Sequence, residues 1–258
     1  MSILHSQIIG KGSENLLVLH GLFGSGNNWK SLAKKLSNFL TLKVHLIDLR
    51  NHGKSFWSDD MDFDLMSTDI FRYLHDKDID KCSILGHSLG GRLAMKFSAS
   101  YPDLVDRLIV VDIGPSQYTS RHNQLFQGLN RVLKTPPKSR VQANELLKKF
   151  IPLESVRQFL IRDLYYNQSK ELVFSMNVKS LWKNQQILTK RLEMPVANEL
   201  ETYFIWGGDS DYYSPLDIEL IREYFPSAKM ITINKAGHWV HRDNPKLFSS
   251  VVLQIFEI

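Results

Sequence analysis

A serine flanked by glycines, Gly86-His87-Ser88-Leu89-Gly90-Gly91, follows a short apolar run and precedes an amphipathic stretch. In that context G-x-S-x-G reads as a nucleophile on a sharp strand-to-helix turn. Such a turn aims the Ser88 hydroxyl out of the carboxyl edge of a sheet, and bulk at positions 86 or 90 would crowd it. The amide of Leu89 then points at the same spot as the hydroxyl, helped by the positive end of the following helix. The plain alternative is a chance Gly-Ser-Gly turn, which leaves the flanking pattern unexplained.

A serine hydroxyl attacks a carbonyl only when a base takes its proton. Nine histidines are available. His238, in Ala236-Gly237-His238-Trp239, follows the last apolar run and so stands on a loop at the same sheet edge as Ser88. His241 reads as structural or surface, and His87 as a packing residue turned away from its neighbour. His20 and His52 each precede a glycine and read as loop braces. His5, His45, His75 and His122 read as ordinary surface or core. An acid must hold the imidazole in the right tautomer. Asp112 ends one apolar run, and Asp211, beside Ser210, follows another. Chain order and spacing allow either. A second oxyanion donor besides Leu89 is expected in His20-Gly21-Leu22-Phe23-Gly24, from Leu22 first and Phe23 second. Reading Gly21, Gly24 and Gly26 as a phosphate cradle fails, because no Lys-Ser/Thr follows and the Rossmann spacing is absent. No H-E-x-x-H occurs and Cys82 is alone, so no metal and no cofactor is expected.

These residues need elements to carry them. Short apolar runs at Leu16–Leu19, Val44–Ile47, Ser83–Leu85, Leu108–Val111, Tyr203–Trp206 and Met230–Ile233 suit strands buried on both faces of a parallel sheet. Helical spacing marks Trp29–Phe39, Leu65–Leu74, a stretch from Gly90, and a last helix with Pro245 in its first turn. The alternation predicts a doubly wound α/β sheet. It breaks after Gly114-Pro115, where residues 115–199 read as helices over Arg121–Leu133, Val141–Phe150, Glu154–Tyr166 and Lys170–Leu181, with no strand. The expected organisation is therefore a core of residues 1–114 plus 200–258 and a helical cap of 115–199.

The chain has 258 residues, and 32 Lys+Arg against 27 Asp+Glu give a net charge of +5. Residues 115–200 alone hold 14 basic and 6 acidic residues, a net of +8. The basic residues alternate with apolar ones at helical spacing, which argues against nucleic acid. No apolar run reaches the roughly 20 residues of a membrane span. A start of Met1-Ser2-Ile3-Leu4-His5-Ser6 lacks a signal-peptide pattern, and one cysteine fits a reducing compartment, so the expected location is cytoplasmic.

Together with His20-Gly21-Leu22-Phe23-Gly24-Ser25, Arg50-Asn51-His52-Gly53-Lys54-Ser55 and Ala236-Gly237-His238-Trp239-Val240-His241, the Ser88 motif resembles the α/β-hydrolase superfamily. The combination is similar to a branch of small bacterial acyl esterases with mitochondrial relatives. The resemblance implies a mostly parallel sheet flanked by helices, an inserted helical cap over an acyl pocket, and hydrolysis of carboxylic and thio esters without a cofactor. It places the acid at the end of the sixth family strand, here Asp112, and gives Ser210 an assisting role, while Asp209 and Asp211 flank that serine. Arg50, Asn51 and Ser55 read as ties for their turn. Phe126, Leu129, Phe159, Phe174, Leu181 and Trp182 read as cap core or acyl-pocket lining. The expected protein is a serine carboxylesterase or thioesterase for short- to medium-chain acyl substrates, a monomer or homodimer whose partner is a small ester or acyl thioester. The rivals are an acyltransferase or C–C bond hydrolase with the same triad, or a non-enzymatic receptor or scaffold.

Overall fold

The computed structural model describes residues 2–119, 122–194 and 200–257. Its strands are β1 (Ser6–Ile9), β2 (Glu14–Leu19), β3 (Leu42–Ile47), β4 (Cys82–His87), β5 (Val105–Val111), β6 (Leu164–Tyr166), β7 (Leu172–Phe174), β8 (Glu201–Gly207) and β9 (Lys229–Ile233). Its helices are α1 (Lys30–Phe39), α2 (Phe63–Asp76), α3 (Leu89–Ser100), α4 (Asn123–Lys134), α5 (Arg140–Lys148), α6 (Glu154–Ile161), α7 (Val178–Thr189), α8 (Pro215–Tyr224), α9 (Val240–Asp243) and α10 (Pro245–Glu257). None is long and apolar enough to cross a membrane.

Seven strands form one sheet in the order β1-β3-β2-β4-β5-β8-β9, parallel except for the antiparallel pairing of β1 on β3. The six apolar runs fall in β2, β3, β4, β5, β8 and β9. In β2, β3, β4, β5 and β8 they are apolar on both faces because helices cover both; β9 departs from the expectation, as an edge strand with Lys229, Met230 and Thr232 exposed and only Ile233 buried. Ile84 packs in one cluster with Ile70, Leu93 and Phe97, while its neighbour Leu85 packs in another with Leu36, Phe248 and Val252. β1 carries no such signal, since it is a half-exposed edge strand of four residues. The chain runs from β2 outward to β3 and then returns to the other side of β2 as β4. The strand order therefore reverses between them, and the crevice at their carboxyl ends is where such sheets place ligands.

Between β5 and β8 the expectation of helices alone is corrected. β6 and β7 form an antiparallel hairpin pairing Leu164 with Phe174 and Tyr166 with Leu172. Lys170, at φ 59°, takes the left-handed turn position, and Asn167 Oδ1 accepts from the Glu171 amide at 2.9 Å. Three residues per strand are too few for a period of two to stand out from a helical period. The expected Glu154–Tyr166 helix accordingly stops at Ile161. The expected Lys170–Leu181 helix begins at Val178, where the Asn177 side chain accepts from the Ser180 amide. The first helix of this insertion starts at Asn123, and the expected start at Arg121 and the expected end of the cap at 199 lie outside the described residues.

Arg92 of α3 ties the insertion to the core. Its Nη1 donates to the carbonyls of Gly114 at 2.9 Å and Ser116 at 2.8 Å, and its Nη2 donates to that of Lys190. These carbonyls belong to the segments by which the chain leaves and re-enters the core. Asp217 grips the same exit segment from its other side, accepting from the Ser116 amide at 2.9 Å. Arg92→Met leaves three carbonyls short of a donor. At about 1–3 kcal/mol for each unmet buried group, the urea unfolding free energy should fall by roughly 3–5 kcal/mol. A loss below ~1 kcal/mol would show that the segments do not depend on this guanidinium.

Neutral histidines brace the loops at the carboxyl edge, and one more, His45, lies within β3 against Tyr73. Burial holds His20 and His87 below the usual imidazole range, pushes His45 and His122 down to about 4, and His52 and His241 to about 3. As pH falls below about 6.5 the unfolded chain takes up protons that the folded chain refuses, so each group costs up to about 1.4 kcal/mol per pH unit. Asp163 opposes this, because burial raises its carboxyl to about 6 and its contribution grows as pH drops through that value. One carboxyl against six imidazoles leaves a net loss. The urea midpoint should decline steeply from pH 7 to pH 5, and a flat profile over that range would contradict the account.

Candidate active site

β4 hands the chain to α3 at Ser88, whose φ of 52° and ψ of −117° lie far from helix or strand values. Such backbone costs a non-glycine residue about 1–3 kcal/mol, and the surroundings must enforce it. A Cβ on Gly86 would come within 2.2 Å of the Gly90 carbonyl oxygen, and one on Gly90 within 2.3 Å of the Leu19 carbonyl oxygen. Both positions must therefore be glycine. The Ser88 amide donates to the Val111 carbonyl at 3.1 Å and its carbonyl accepts from the Arg92 amide at 3.0 Å, which pins both sides of the turn.

Ser88 Oγ lies 3.0 Å from His238 Nε2, and His238 Nδ1 lies 2.8 Å from Asp112 Oδ2. With Nδ1–H donating to the carboxylate, Nε2 is left as the acceptor for the serine proton. Asp112 is fully buried directly after β5, with a φ of 52°. Its Oδ1 accepts from the Gly207 amide at 2.8 Å and its Oδ2 from the Ser210 hydroxyl at 2.5 Å. Three donors satisfy a carboxylate that burial alone would penalise. The loop after β8 thus presents the hydroxyl of Ser210 to Asp112, while Asp209 and Asp211 are exposed.

The turn after β2 lies against this serine. A Cβ on Gly21 would meet Ser88 Cβ at 3.2 Å. The Gly24 amide closes the turn on the Gly21 carbonyl at 3.0 Å, with Phe23 at a φ of 64°. Leu22 and Phe23 occupy the tip of that turn. Leu89 opens α3, where the helix itself has no acceptor for its amide.

His238 has further partners that residue type and spacing do not reveal. Tyr212 stacks on the imidazole with ring centroids 3.6 Å apart and planes 13° apart. No spacing rule finds this contact, which exists only because the β8 loop folds over the β9 loop. His87 does more than pack: its Nε2–H donates to the His238 carbonyl at 2.8 Å and so supports the histidine loop from below. His241 is structural, stacked on Trp29 with centroids 4.0 Å apart. His20 accepts from the Leu49 amide and donates to the Gly21 carbonyl, and His52 donates to the Arg50 carbonyl, so both brace their loops. His122 meets the edge of Phe23, with centroids 5.6 Å apart. Arg50 holds Asp69 through Nε at 2.5 Å and Nη2 at 2.9 Å, Asn51 donates to Ser180 Oγ, and Ser55 donates to the Asp48 carbonyl. Among the aromatic and aliphatic residues of the insertion, Phe126, Leu129, Phe174 and Leu181 are buried. Phe159 and Trp182 are partly exposed. Phe126 reaches Phe23 at 5.0 Å and Phe159 reaches Trp239 at 5.4 Å, so the insertion closes over the serine and histidine loops. Among the described residues no three His, Cys, Asp or Glu side chains gather as metal ligands.

A family model for the alpha/beta hydrolase fold matches residues 14–245. The putative esterase/lipase of Haemophilus influenzae is 37% identical over 231 residues, 89% of this chain and 78% of that protein. The sn-1-specific diacylglycerol lipase ABHD11 of Danio rerio is 38% identical over 257 residues, 96% of this chain and 80% of that protein. A solved structure described as a marine microorganism esterase superposes with a TM-score of 0.92 at 34% identity, covering 99% of this chain and 100% of that one. The chain belongs to the α/β-hydrolase fold family and is a hydrolase of the esterase type.

Proposed function

We propose that the chain is a serine hydrolase that cleaves carboxylic esters, and thioesters by the same route, of short- to medium-chain acids through an acyl-enzyme on Ser88. The observation that carries this reading is the line from Ser88 Oγ to His238 Nε2 at 3.0 Å and from His238 Nδ1 to Asp112 at 2.8 Å, set on a strained strand-to-helix turn. His238 takes the Ser88 proton as Oγ attacks the acyl carbonyl. The amides of Leu89 and Leu22, with Phe23 as the alternative to Leu22, hold the oxyanion; loss of one such donor typically costs about 3 kcal/mol in the barrier. His238⁺ then gives its proton to the leaving oxygen or sulfur, and a water activated by the same imidazole releases the acid.

Asp112 is the acid in this scheme. It keeps Nδ1 protonated and balances the imidazolium, while the Ser210 hydroxyl fixes the carboxylate. Residues 115–199 act as a cap over the acyl site. The lone cysteine, Cys82, is buried and its thiol is pushed up to about 12 by that burial, so it takes no part in this chemistry.

Ser88→Ala should abolish release of p-nitrophenol from p-nitrophenyl butyrate, and retained turnover would sink the reading. Asp112→Asn should lower kcat by roughly 10⁴-fold, by analogy with the protease triad. Asp211→Asn should change it less than about threefold. A large loss confined to the Asp211 variant would move the acid to that position.

A further inference from the structure

A cavity of about 900 Å³ lies between the insertion and the core. Phe23 and Trp239 border it, and these residues adjoin the oxyanion turn and His238. Phe159 closes it from the insertion side, and Lys54, Arg162 and Arg242 add charge. Ser88 itself does not line it, so the space begins beside the reacting atoms and extends away from them.

Acylation chemistry says which part of a substrate enters such a space. The acyl oxygen must lie against the Leu89 amide and the turn after β2, and the leaving oxygen must come within reach of the proton on His238 Nε2. The leaving group therefore departs on the imidazole side, where Trp239 follows His238 directly in the chain. The volume is near the upper end of ordinary ligand sites, about 300–1,000 Å³. A small alcohol would leave most of it to water.

Charge narrows the class. Asp48 and Asp163 also line the cavity, but both carboxylates are occupied. Asp48 accepts from the Gly26 amide at 2.8 Å and the Lys54 amide at 2.9 Å, and faces His5 Nδ1 at 3.0 Å. Asp163 accepts from the Ser175 hydroxyl and from the amides of Ser175 at 2.9 Å and Met176 at 3.3 Å. Lys54, Arg162 and Arg242 are exposed, and none has a carboxylate within 4.0 Å among the described residues. Arg242 lies over the Trp239 ring, 5.9 Å from its centroid, which holds it near the catalytic end. Two guanidinium forks and an ammonium suit a phosphate dianion.

We propose that this cavity receives the leaving group and that the preferred leaving group is an alcohol bearing a phosphate monoester, read by Lys54, Arg162 and Arg242. The inference rests on the serine-hydrolase reading above. The chemistry is unchanged: the Ser88 Oγ–C bond forms to give the oxyanion, its collapse breaks the acyl C–O bond as the Ser88 proton passes through His238 to the departing alcohol, and water later cleaves the acyl-enzyme. The phosphate binds and is not transferred.

The test uses a matched pair, 1-butyrylglycerol and 1-butyrylglycerol 3-phosphate, with p-nitrophenyl butyrate as a reference. The wild-type protein should prefer the phosphate ester at least tenfold in kcat/KM, mainly through KM, with the preference shrinking between 50 and 300 mM NaCl. R162Q/R242Q should reduce the ratio of the two kcat/KM values at least tenfold. Glycerol 3-phosphate should inhibit p-nitrophenyl butyrate hydrolysis competitively where glycerol does not. If the wild-type protein hydrolyses p-nitrophenyl butyrate through Ser88 yet shows no preference within the pair, the inference is overturned and the hydrolase reading stands. A preference that survives R162Q/R242Q overturns the assignment of the phosphate to these residues. Failure to hydrolyse any of the three esters overturns the hydrolase reading beneath it.

Discussion

The backbone of Ser88 stands at a φ of 52°, and much of the surrounding architecture serves to hold it there. A residue with a side chain leaves that region readily unless its neighbours forbid it. Here the forbidding is done by close approach. Gly86 and Gly90 let strand, turn and helix meet at distances a Cβ could not share, and the flanking hydrogen bonds to Val111 and Arg92 fix the two peptide units. The strain has a geometric return. It sets the hydroxyl 3.0 Å from His238 Nε2 and leaves the first amide of α3, next in the chain, without a helical acceptor, so one distortion offers both groups that the proposed reaction needs.

The remaining parts are arranged around one imidazole. His238 has a carboxylate at one nitrogen, a hydroxyl at the other, the Tyr212 ring on a face and His87 beneath its own carbonyl. These contacts come from three strand ends: Ser88 and His87 from that of β4, Asp112 from that of β5 and Tyr212 from that of β8. A parallel sheet brings these ends to one edge, and its order reverses there, which opens a crevice for a substrate. The insertion completes the enclosure through Phe126 and Phe159. Arg92 couples it to α3, the helix that Ser88 precedes, so the insertion and that serine share a support.

What is legible in the sequence follows from what burial and sterics write into residue types. The interior strands are readable because both faces are apolar, and the Ser88 turn because only glycine fits at 86 and 90. The edge strand β1 is invisible, since a half-exposed four-residue run carries no distinctive pattern. The β6–β7 hairpin is missed for a related reason, because alternation over three residues looks like part of a helix. Asp112 and Asp211 cannot be ranked by spacing, because both follow strands that end at the same edge. The contact of Asp112 with His238 is a property of the folded loops. Tyr212 lies further out of reach, since a stacking partner leaves no mark on composition or period.

The claim on which the rest stands is that Ser88 is the nucleophile. Intact-protein mass spectrometry after treatment with a fluorophosphonate, followed by peptide mapping, addresses it directly. The account predicts one adduct per chain, on the peptide containing Ser88, and its loss when the protein is unfolded before treatment. An adduct on another residue, or no adduct on a folded protein that hydrolyses p-nitrophenyl butyrate, would contradict it.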